Sequence, residues 1–95
     1  MANKSVFDDD SPVRCYLCGA VGPTDEHHIF GGPCRPISDR YGLVVHICRR
    51  CHSLIHDSAE GKELRDYLHQ KGQIVYEERF GNRRAFIREF IRSYL

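Results

Sequence analysis

Ninety-five residues make one small domain, and a chain of this length buries only about two-thirds of the surface it exposes when unfolded, so its apolar core is marginal. Fourteen Lys and Arg against 13 Asp and Glu leave a formal charge of +1, which excludes the strongly basic signature of many nucleic-acid binders and leaves anion recognition to local clustering. Met1 to Asp10 are polar and end in an acidic run, so no secretory signal is expected, nor a membrane partner, since no apolar stretch is long enough to span one; with an odd five cysteines, a reduced, cytoplasmic setting with a metal staple is expected rather than a disulfide framework.

In chain order, residues 1–13 form a polar lead-in, expected to be flexible, whose Asp8-Asp9-Asp10-Ser11-Pro12 run argues against regular structure. A single domain then spans residues 14–95, with a metal-binding core at 14–57 and a helical extension at 58–95. Cys15-Tyr16-Leu17-Cys18-Gly19 has the shape of a knuckle, its glycine relieving a tight turn. His27 to Phe30 reads as a short strand ended by Gly31-Gly32-Pro33, with a loop through about Arg40. The β-branched stretch Leu43 to Ile47 is the expected partner strand, and Arg49 to His56 the following helix. Two more helices are expected at about Glu60 to Phe80 and Arg83 to Tyr94, separated by Gly81-Asn82, the first capped by Asp57 or Ser58 and weakened midway by Gly72. The fold class is therefore α+β: a zinc-stapled two-stranded antiparallel hairpin plus helix, with two further C-terminal helices.

Cysteines and histidines divide into two kinds of ligand. Four sulfurs from Cys15, Cys18, Cys48 and Cys51 suit a closed tetrahedral Zn²⁺, which in a small domain contributes on the order of 10–16 kcal/mol. His52 and His56 are four apart on the expected helix, so they project from one face and can share an ion. His27 and His28 are adjacent on the expected strand and point to opposite sides, so one is free to bind metal and the other to act as a base.

Together, Cys15-x-x-Cys18, His27-His28-Ile29-Phe30-Gly31-Gly32, Tyr41-Gly42-Leu43 and Cys48-x-x-Cys51-His52-x-x-x-His56 resemble an HNH endonuclease of the ββα-metal (His-Me finger) superfamily, similar to small phage and prophage HNH proteins and the RecA-dependent phage nuclease domain. The resemblance covers Arg14 to about Asp57, and more loosely the tail from Glu63 through Tyr94. It implies a ββα-metal fold in which His28 is the general base and His27, His52 and His56 hold one catalytic divalent ion (Mg²⁺, Mn²⁺, Ni²⁺ or Zn²⁺). The implied reaction nicks or cleaves DNA, leaving 5′-phosphate and 3′-hydroxyl ends, in the cytoplasm of a bacterial host if the chain is phage-encoded. The chain departs from that pattern at one point: the middle Asn that orients the base falls near Leu43, which cannot do so. His46 or Tyr41, or a backbone carbonyl, stands as the replacement.

Further candidates are weaker. Asp25 or Glu26 is a possible orienter of a metal-bound histidine, and Arg35, Arg40, Arg49 and Arg50 are possible DNA phosphate contacts. Arg84, Arg88 and Arg92 recur every four residues on one helical stripe, where a solvated face is the plain alternative. His69 reads as structural or solvated, and Cys34 as a loop cysteine. The apolar stripes of the C-terminal helices read as core, with dimerisation or DNA wrapping as the other use. A reading of another class treats the chain as a non-catalytic zinc-binding module that binds DNA or a protein partner.

Overall fold

The computed structural model describes residues 5–7, 13–57 and 59–95. Among them the order is strand β1 (Thr24–His28), helix α1 (Arg35–Tyr41), strand β2 (Val44–Cys48), then helices α2 (Arg49–Ile55), α3 (Gly61–Arg79) and α4 (Arg83–Phe90), with a 3-10 turn at Gly32–Cys34. The strands form a two-stranded antiparallel sheet in the register Thr24↔Cys48, Glu26↔His46 and His28↔Val44. The architecture is α+β. No helix among the described residues is long and apolar enough to cross a membrane.

The connection between the strands is where the fold departs from expectation. Instead of a loop through Arg40, residues 35–41 are helical. Pro36 lies in the first turn, where its missing N–H costs nothing, and Gly42 stops the helix at φ 70° with its N–H on the carbonyls of Ser38 and Asp39. Ser38, fully buried, fastens α1 to the end of β1: its hydroxyl donates to the Phe30 carbonyl at 2.8 Å and accepts from the Phe30 N–H at 3.1 Å.

The core lies between this hairpin and the C-terminal helices. Leu43, Val45, Ile47, Ile55 and Leu68 are buried with Phe86 and Phe90, whose stacked rings lie 4.6 Å apart. Phe30 is the hub: its ring meets Phe90 at 4.7 Å, His69 at 5.3 Å and Tyr94 at 5.4 Å. Helix α4 ends at Phe90, short of the expected Tyr94, because Ile91 turns left-handed at φ 83° and the Tyr94 N–H then reaches the side chain of the buried Gln73. Asn82 caps α4, but the expected Asp57 cap of α3 is not formed: the N-cap is Glu60, without a side-chain bond, and the Asp57 carboxylate accepts from Ala59 and Glu60 in the turn before the helix. Ser58, the other expected cap, lies outside the described residues, as do Met1 to Lys4 and Asp8 to Pro12 of the lead-in. Ser5 to Phe7 of that lead-in dock on the domain: the Ser5 hydroxyl donates to the Val44 carbonyl and the Val6 N–H to the Gly42 carbonyl.

Helix α3 runs unbroken through Gly72. A Cβ there would stand 2.8 Å from Phe30 and 3.0 Å from Ile29, so the glycine admits the aromatic hub against the helix. Both neighbours are core walls with nowhere to move, so overpacking of about 1–3 kcal/mol outweighs the roughly 1 kcal/mol of helix propensity that alanine gains. Gly72→Ala is expected to lower the urea midpoint; a raised midpoint would show that α3 does not pack this closely.

Candidate metal centres and histidine site

The knuckle at Cys15 to Cys18 is closed by the Gly19 N–H on the Cys15 carbonyl at 2.9 Å, with Gly19 at φ 76°. It is tied to β2 by the Tyr16 N–H on the His46 carbonyl at 2.8 Å. Cys48 ends β2 and caps α2, its sulfur accepting from the Cys51 N–H. The four sulfurs of Cys15, Cys18, Cys48 and Cys51 consequently lie within 4.8 Å of one another. The Cys18 and Cys48 sulfurs are 3.8 Å apart, which matches the edge of about 3.8 Å expected for a zinc tetrahedron with bonds of about 2.3 Å. Burial raises the Cys15 thiol, but the N–H groups of Cys18 and Cys48 outweigh it and bring Cys15 down to about 6. Burial and the neighbouring sulfurs push Cys51 far up. Four sulfurs this close cannot all ionise without a cation among them, and the set is compatible with a structural zinc site.

The strand alternation parts His27 from His28, as its period of two requires. His27 faces α2, with its ring 5.7 Å from that of His52 and 6.0 Å from that of His56, and the three offer nitrogens within 4.8 Å of one another. Burial, reinforced by the neighbouring histidines, lowers His27 to about 4, so its ring is neutral at pH 7. Asp25, on the same face of β1, takes Nδ1 of His52 at 3.1 Å, which leaves Nε2 for an ion. His52 and Arg49 in turn hold the Asp25 carboxyl below its ordinary range.

His28, on the other face, has its Nε2 2.5 Å from Oδ1 of Asp39 in α1 and 3.7 Å from Glu26. Its side chain is only 9% exposed. Asp39 was not legible as a site residue, because it stood in an expected loop. The Pro36 and Gly42 signals for a short helix were present in the sequence, but not the direction in which that helix presents its side chains.

Several expected roles fall elsewhere. Tyr41 does not face His28: its hydroxyl donates to Glu89 at 2.7 Å, beside a 2.6 Å bond from Tyr76 to the same oxygen, which ties α1 to α3 and α4. His46 lies across from Glu26 on the His28 face, but the close contact to the His28 ring comes from Asp39. Of the four arginines proposed for phosphate, Arg40 pairs with Glu89, Arg49 with Asp25, and Arg50 lies against the cysteine cluster. Arg35 remains at the site. Arg92 lies over the Tyr94 ring, His69 is stacked on Phe30, and Cys34 is a free thiol in the turn before α1.

Three histidines and His28 line one cleft of about 380 Å³, together with Glu26, Arg35, Arg65 and His69. Its chemistry is that of three imidazoles converging on one point, with a carboxylate-held imidazole beside them. No known protein family, curated protein or solved structure matches the chain.

Proposed function

We propose that the chain is a zinc-stapled HNH endonuclease that nicks or cleaves DNA phosphodiester bonds. The observation that carries this reading is the split of adjacent histidines, with His27 joined to His52 and His56 on one face and His28 held by Asp39 on the other. Cys15, Cys18, Cys48 and Cys51 would hold the structural zinc, and His27, His52 and His56 a catalytic divalent ion. That ion supplies charge stabilisation to the phosphate and the leaving 3′ oxygen when bound.

The base follows from hydrogen bonding. A carboxylate accepts and does not donate, so Asp39 keeps the proton of neutral His28 on Nε2 and leaves the lone pair on Nδ1. Nδ1 then takes the proton from the attacking water, and Asp39 balances the charge that the ring acquires. Such a base contributes about 10²–10⁴-fold.

Supercoiled plasmid incubated with the zinc-loaded protein and Mg²⁺, Mn²⁺, Ni²⁺ or Co²⁺ is expected to become nicked circle that DNA ligase reseals, as 5′-phosphate and 3′-hydroxyl ends require. His28→Ala should abolish nicking at unchanged zinc content. Plasmid left intact with all four ions would overturn the enzyme reading and leave a zinc module that binds DNA or protein.

A further inference from the structure

Arg65 of α3 lies outside every motif of the sequence, yet it lines the histidine cleft, one helical turn before His69. Its Nη1 donates to the carbonyls of Ile55 and Asp57, each at 2.8 Å, so the end of α2 holds the guanidinium in place just past the His52 and His56 segment. The fit is close: a Cβ on Gly61 would meet the Leu54 carbonyl and stand 2.8 Å from that same Nη1. Of the roughly five N–H donors of an arginine, the Nη2 pair and Nε are left unclaimed by those carbonyls. Arg35 enters the cleft from the start of α1 and makes no ion pair among the described residues. Against these two cations the cleft offers one carboxylate, Glu26, which lies beside His28.

We propose that Arg65 and Arg35 form the phosphodiester-binding part of this cleft, gripping the DNA backbone at the phosphates beside the three-histidine cluster. The proposal rests on the nuclease reading for the identity of its anion. A guanidinium anchored through one nitrogen presents its remaining fork without further ordering, which suits the tetrahedral oxygens of phosphate better than a mobile lysine does. Arg65 serves two roles, as tie to the end of α2 and as phosphate ligand, so its test must separate them.

Binding of a short fluorescein-labelled DNA duplex to the zinc-loaded full chain, in a His28→Ala background, is read by anisotropy over a salt series. Arg35→Gln and Arg65→Gln are each expected to weaken binding roughly 5- to 20-fold for any duplex sequence, and to lower the slope of log Kd against log salt by about one. Loss of the carbonyl tie alone would lower the thermal midpoint and leave that slope unchanged. Arg35 has no such tie, so Arg35→Gln should keep the parent's midpoint and still lose slope. Parent-like affinity and slope in both variants would overturn the proposal. If the wild-type protein leaves plasmid intact while both variants still lose DNA binding, the clamp stands and the nuclease reading falls. If the wild-type protein nicks and both variants bind like the parent, the clamp alone falls.

Discussion

Replacing Cys51 with Ser is expected to abolish zinc binding and cooperative unfolding together, leaving a chain without the helical circular dichroism of the folded protein. Cys51 is 6% exposed and belongs both to the four-sulfur cluster and to the apolar core, so its loss removes a ligand and opens the packing between α2 and the hairpin. The magnitudes decide the outcome. A structural zinc contributes roughly 10–16 kcal/mol, whereas a whole domain of this kind is stable by about 5–15 kcal/mol. Without the ion, little or nothing remains to offset chain entropy. Cys34→Ser is the control, since that thiol lies outside the cluster, and it should retain both zinc and helicity. A Cys51→Ser protein that binds no zinc yet melts like the wild type would show that the four sulfurs are not the staple.

The second large effect concerns the proton on His28. Asp39→Asn is expected to lower the rate of nicking by about 10²–10⁴-fold at unchanged zinc content and thermal midpoint, because an amide can present N–H to the ring and drive the imidazole into the wrong tautomer. The contact being replaced is the 2.5 Å approach of Asp39 Oδ1 to His28 Nε2. If Asp39 acts through His28, then removing both should cost no more than removing His28 alone, whereas independent roles would multiply. An Asp39→Asn enzyme within twofold of wild type, in an assay where His28→Ala is dead, would show that the base is oriented by something else.

The cysteine and histidine clusters were legible because each is fixed by short-range spacing. Cys-x-x-Cys brings two sulfurs to one point, His52 and His56 meet one helical turn apart, and adjacent strand residues must face opposite ways. Asp39 and Arg65 obey no such local rule. Their positions depend on how α1 is tied down by Ser38 and how α3 crosses the end of α2 over Gly61. The same limit explains the error at the C-terminus: nothing near Ile91 in the sequence announces a turn whose reward is a bond between Tyr94 and Gln73 in another helix. Tyr41 was misassigned for a related reason. A tyrosine near the second strand could serve His28 only if Glu89 were not closer.

The crossover between the strands has a consequence for how such a chain can diverge. The clustered sulfurs and the three clustered histidines come from the knuckle, β1, the end of β2 and α2 with its C-cap His56, whereas the group that holds His28 comes from α1, within the connection. A connection can be exchanged while the frame that it joins stays in register. The group that holds His28 is thus a replaceable cassette: descendants of this architecture are free to supply it from a different residue, or a different turn, without re-engineering either the cysteine or the histidine cluster.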